Sequence, residues 1–231
     1  MGTNVVPVLA AAVSVTGAVV TVLLGAILER RRSRTQRRVR LRHVASRYSV
    51  PLLQAAHSLR ARLGNTVAEQ ISEFREGPDR FGDYARYESL YRLARYLCIV
   101  QIMWREVDFL DFGRRRHNRE LIKRLVAVGG ALSDRTTGRL LVLGGEQRAL
   151  GDLMIDPDGP PRCLTYPQFR DRMRDERFAA WFQPLLDDID AVVGGEPVPA
   201  RHAHVVKALG ELTEFLDRRR IGMPWGDEAA G

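Results

Sequence analysis

The sequence predicts an all-α protein, with one N-terminal transmembrane helix followed by a cytoplasmic helical bundle of about six helices. Three observations predict this. Val5 to Leu28 contains no charged side chain, and Glu29-Arg30-Arg31-Arg32 closes the run abruptly. Beyond residue 50, apolar residues recur at steps of three and four, the spacing of one helix face. The only short apolar run compatible with a strand, Leu140 to Leu143, has no second strand to pair with and is therefore assigned to helix. The chain divides into a short N-terminus with its span (1–28), an Arg-rich connector (29–47), a helical domain (48–218) and a disordered tail (219–231).

The span comes first. At about 1.5 Å per helical residue, Val5 to Leu28 reaches roughly 36 Å, against a hydrocarbon core about 30 Å thick. A cleaved signal peptide would carry a basic leading region and a shorter apolar stretch, and Met1 to Asn4 hold no basic residue. Basic residues beside a span stay on the cytoplasmic side. The expected location is the inner membrane of a bacterial cell, with the N-terminus outside and the domain in the cytoplasm. Ala10, Ser14, Gly17, Thr21 and Gly25 share one side of this helix. Small residues let two helices approach closely in lipid, so this face is a candidate contact for a homo-oligomer or a partner's span.

Charge separates the connector from the domain. Arg30, Arg31, Arg32, Arg34, Arg37, Arg38, Arg40 and Arg42 against Glu29 give the connector +7 of the chain's net +8. These arginines fix topology and suit anionic lipid headgroups. No aromatic residue interleaves them to stack on bases, so nucleic acid is not an expected partner. Lys123 and Lys207 are the only lysines. That bias, with abundant Ala and Gly, points to a bacterium with a GC-rich genome and weakens arginine content as a sign of anion binding.

In the domain, Ser49 offers an N-cap and Leu52, Ala56, Leu59, Leu63, Val67, Ile71 and Phe74 mark a helix over 50–74. A second helix spans about 84–112, and its middle, LCIVQIMW (97–104), is apolar on nearly every side, as in a helix buried by several neighbours. Gly113 is its expected C-cap. Asn118 caps a third helix burying Leu121, Ile122, Leu125, Val128 and Leu132, with Gly129 and Gly130 weakening it. A short helix follows Gly144-Gly145, and DPDGPPR (156–162) is loop. Thr165 and Gln168 match a capping box. Phe178 to Val193 continues as helix, with Pro184 expected to kink or restart it. Val205, Val206, Leu209, Leu212 and Leu216 lie on the last helix.

Residues capable of chemistry are scattered. The five histidines form no paired ligand spacing, and neither a metal nor a cofactor is expected. Cys98 and Cys163 lack CxxC or metal spacing and read as incidental reduced thiols. Gly144-Gly145-Glu146 precedes a helix but lacks the P-loop spacing. Glu106, Asp108, Asp111, Glu146 and Asp152 offer carboxylates for an acid/base pair, although acids near helix ends usually meet solvent or arginine. Gln101, in the most apolar stretch, is expected to bond across to another helix or line a pocket, because an unpaired buried amide costs about 1–3 kcal/mol. Tyr84, Tyr87 and Tyr91 form a stripe near Arg86, Arg92 and Arg95, expected at a core edge. No catalytic residue is assigned.

The segments YSVPLLQAAHSLRARLGN (48–65), LCIVQIMWREVDFLDFG (97–113), GEQRALGDLM (145–154), TYPQF (165–169) and WFQPLLDDI (181–189) resemble a family of bacterial membrane-anchored helical proteins. The resemblance implies one coherent domain over most of 45–193 and carries no activity or functional residue with it. Taken together, the expected function is that of a single-pass membrane protein whose domain binds another protein as adaptor, scaffold or regulator. The alternatives are a tethered enzyme with a site between the central helix and residues 145–155, or an oligomerising membrane effector.

Overall fold

The most apolar stretch of the domain, Leu97 to Trp104, lies in the longest described helix, which packs against four others. The computed structural model describes residues 48–64, 79–107, 115–136 and 138–217. All of them belong to the unit Ser46–Gly231. Among the described residues seven helices follow in order: α1 (48–64), α2 (Asp79–Val107), α3 (Arg115–Leu132), α4 (Gly144–Leu153), α5 (Tyr166–Arg172), α6 (Glu176–Val193) and α7 (Ala200–Leu216). Extended pairing among them is limited to one antiparallel bridge between Ile155 and Cys163. The all-α expectation holds, with seven helices in place of about six. No helix among the described residues is long and apolar enough to cross a membrane. The expected span with its small-residue face, the arginine connector and the C-terminal tail lie outside the described residues.

Helix α2 is the axis. Leu90, Ala94, Leu97, Cys98, Ile99, Ile102 and Met103 are all buried on it. Its N-terminus lies at Asp79, earlier than the expected 84. It packs most extensively on α4, then on α6 and α5, while α3 pairs with α7. The α2–α4 approach is close because Gly151 has no side chain. A Cβ there would lie 2.7 Å from the Leu97 carbonyl oxygen and 2.9 Å from Cβ of Gln101. Helix α1 is tied to α2 by Arg62, which donates to Ser89 Oγ at 2.9 Å and to the Ala85 carbonyl at 3.0 Å. Arg92 donates to the Ser58 carbonyl at 3.3 Å.

Helices α5 and α6 bring an aromatic cluster onto α2. Phe169, fully buried, sits 5.6 Å from Tyr91, 5.5 Å from Phe182 and 6.1 Å from Phe178, ring centre to ring centre. Burying one such side chain is worth about 1.5–3 kcal/mol. Pro184 does not restart α6, which runs through it. The carbonyl that proline leaves unbonded belongs to Ala180; both residues are exposed, so water serves it.

Several local expectations are corrected. Residue 48 is already helical, so Ser49 does not cap α1; serine within a helix costs under about 0.7 kcal/mol. Helix α3 begins at Arg115, which places Asn118 inside it; arginine is among the better helix formers. The continuation of α1 past residue 64 and the Gly113 cap lie outside the described residues. On α3, Leu121, Leu125, Val128 and Leu132 are buried as expected, whereas Ile122 is 37% exposed. Gly129 serves packing: a Cβ there would meet the Gln147 side chain at 3.0 Å, and Gln147 donates to the Gly129 carbonyl at 2.9 Å.

Leu140 to Leu143 is not helix. Leu140 has φ of 61° and Gly138 of 77°, left-handed backbone that interrupts any helix. The reason lies in α7. Arg201, only 1% exposed, donates to the carbonyls of Gly138 (2.7 Å), Arg139 and Asp134. Asp188 accepts the Leu140 N–H at 2.6 Å.

Candidate functional site at the 155–165 loop

The DPDGPPR segment leaves α4 and folds back on itself through one carboxylate. Asp156 is 4% exposed. It accepts from the Asp158 N–H at 3.0 Å, from Arg162 Nε at 2.9 Å and Nη2 at 2.8 Å, and from Gln168 at 3.4 Å. The backbone bond from Asp158, with Arg162 beside it, holds the Asp156 carboxyl below the ordinary carboxylate range. The loop then pairs with itself: Asp156 N–H donates to the Arg162 carbonyl and Leu164 N–H to the Met154 carbonyl, each at 2.8 Å. Gly159, with φ of 105°, turns the tip. Gln168 also reaches back to the Thr165 N–H at 2.8 Å, completing the expected capping box.

This returning strand faces α2. Tyr91 donates its hydroxyl to the Leu164 carbonyl at 3.1 Å, and the Cys163 thiol donates to the Arg95 carbonyl at 3.8 Å. Between the loop and helices α1 and α2 lies a cavity of about 440 Å³. Pro51, Ile99, Ile102 and Leu164 give it apolar walls; Tyr91, Arg95, Arg162 and Cys163 give it polar ones. The Arg162 guanidinium is held by Asp156, whereas no hydrogen bond or ion pair reaches the Arg95 guanidinium among the described residues. Burial pushes the Tyr91 hydroxyl above the ordinary phenol value, and nearby Arg95 opposes that shift. A pocket of this size with few polar groups suits a small molecule rather than a macromolecule.

Of the candidate carboxylates, the two that are described, Glu146 and Asp152, do not converge here. Glu146 reaches back to the Leu143 N–H at 2.8 Å and so caps its own helix. Asp152 pairs with Arg105 at 2.8 Å. Asp108 and Asp111 lie outside the described residues, as does the side chain of Glu106. Among the described residues Gln101 forms no cross-helix bond: it is half-buried, and its Cβ packs against Gly151. The tyrosine stripe edges the core as expected, with Tyr84 45% exposed and the Arg170 guanidinium 3.6 Å above the Tyr87 ring.

His202 is half-buried and held below its ordinary value by burial, while His204 is exposed. The arginines at 30–42 and the small residues at 10–25 proposed for the membrane lie outside the described residues.

Three features escaped the sequence reading. Asp156 as the loop's anchor had a local signal, since Asp-Pro-Asp-Gly is a turn sequence in which an aspartate bonds its own backbone two residues on. Arg201 and the meeting of Cys98 with Cys163 had none. Set against known proteins, the chain matches no family model, no curated protein and no solved structure.

Proposed function

We propose that this chain is a single-pass protein of the bacterial inner membrane whose cytoplasmic helical domain acts as a protein-interaction module. One observation carries the choice over a tethered enzyme. The two described carboxylates of the enzyme alternative, Glu146 and Asp152, are engaged in a helix cap and an ion pair. Apolar side chains, in contrast, remain on the surface. Val126 is 61% exposed and Ile122, one turn away on α3, 37%; Trp181 on α6 is 50% exposed. The uncharged run of residues 5–28 and the arginines that follow it support the anchor and its orientation.

Affinity purification of the tagged full-length chain from cross-linked native membranes tests the proposal. A specific protein should co-purify at near-stoichiometric yield, and its recovery should fall in an Ile122→Glu/Val126→Glu variant. Repeated recovery of the chain alone would overturn it. Recovery of only a second copy, lost on Gly17→Leu/Gly25→Leu, would instead favour the oligomerising effector.

A further inference from the structure

Cys98 and Cys163 are the only cysteines of the chain, and the fold brings them together from different elements. Cys98 lies on the buried face of α2, with no solvent exposure. Cys163 sits in the returning strand of the loop, is half-buried and lines the cavity. Its sulfur is 3.8 Å from the carbonyl of Arg95, three residues before Cys98 on the same helix. That contact seats the Cys163 sulfur beside the turn of α2 that carries Cys98. We propose that this pair is an oxidation site, at which hydrogen peroxide entering the cavity converts Cys98 and Cys163 into an intramolecular disulfide that staples the 155–165 loop to α2.

The geometry assigns each sulfur a role. Cys163 is the one a small oxidant reaches, because it lines the cavity. Cys98 is held as a thiol, because the neighbouring Cys163 and its own burial push it above the ordinary value. It is therefore the resolving partner, and no further thiol is required.

The Cys163 thiolate attacks one peroxide oxygen and breaks the O–O bond, giving a sulfenic acid and hydroxide. The Cys98 sulfur then displaces the sulfenic hydroxyl, and its proton leaves with that group as water. Overall two thiols are oxidised by two electrons and one peroxide is reduced to two waters. Bonding requires the sulfurs to close to about 2.05 Å. The loop is the element able to move, since Cys98 is fixed within the packed face of α2. In a reducing compartment such a bond is transient and serves sensing.

Full-length chain in isolated native membranes is treated with hydrogen peroxide, quenched with maleimide under denaturing conditions and mapped by mass spectrometry. The wild type should lose both free thiols together, gain a linked peptide pair joining Cys98 to Cys163, and recover both thiols with dithiothreitol. Cys98→Ser should stop at a sulfenic acid on Cys163, trapped by dimedone, and Cys163→Ser should leave Cys98 unmodified at the same dose. Peptide mapping of the wild type decides the matter even if a variant fails to fold. Cys163 passing to sulfinic acid while Cys98 stays free, a bond only between chains, or two thiols untouched at millimolar peroxide would each overturn the proposal.

Discussion

Two connections of this domain are each held by one buried charge, and they differ in where that charge finds its partners. Asp156 accepts from Asp158, Arg162 and Gln168, all within twelve positions of it. Arg201 donates to the carbonyls of Asp134, Gly138 and Arg139, more than sixty positions away. The first charge folds its own loop; the second fixes a loop that other helices must already have brought near. The 155–165 loop satisfies its buried charge locally, meets α2 through the Tyr91 and Cys163 hydrogen bonds, and borders the cavity. A loop held from afar serves the fold. The 134–143 segment is locked to α7 by Arg201 and to α6 by Asp188.

The largest effect should come from the distant charge. Arg201→Met leaves three carbonyls without their donor, at about 1–3 kcal/mol for each group left buried. We expect a loss of roughly 3–5 kcal/mol in denaturant unfolding, a size typical of breaking a buried polar network. A loss below about 1 kcal/mol would erase the distinction between the two loops. Next comes Gly151→Ala, which forces a methyl to within 2.7 Å of the Leu97 carbonyl. Pushing α4 from α2 should cost about 1–3 kcal/mol and loosen the loop that leaves α4.

Gln168→Ala removes the return bond to Thr165 at 2.8 Å and the contact to Asp156. About 1 kcal/mol is expected, in the range of other helix caps, with the change confined to α5 and the loop. The smallest effect probes the Arg201 side through pH. Burial holds the His202 imidazole below its ordinary value, so the unfolded chain takes up the proton first. Stability should therefore fall as pH drops below about 6.5, and the slope should flatten in His202→Gln. An unchanged slope in the variant would assign the acid sensitivity to other groups.

Legibility in the sequence follows the same division. The central helix, the Thr165–Gln168 capping box and the DPDGPPR loop all read correctly, because apolar spacing, capping and turn chemistry act over a few residues. Leu140 to Leu143 misled, because the run fits strand or helix by pattern and the want of a second strand pointed to helix. Leu140 occupies a left-handed conformation, disfavoured by roughly 1–2 kcal/mol, that only Arg201 and Asp188 make worthwhile. Asn118 was a plausible cap within a segment that turns out to be helical before it. Of the site, Asp156 was readable and the cavity was not. The pairing of Cys98 with Cys163 depends on the loop folding back over α2, a contact that no local spacing announces.

The most direct test of this division is hydrogen exchange by mass spectrometry on the full-length chain, comparing Asp156→Asn with Arg201→Met. The account predicts that Asp156→Asn speeds exchange only at the loop, above all at the amides of Asp156 and Leu164 that now bond to Arg162 and Met154. Arg201→Met should raise exchange across α3, α6 and α7 together. Global loss of protection in Asp156→Asn, or a response of Arg201→Met limited to residues 134–143, would contradict it.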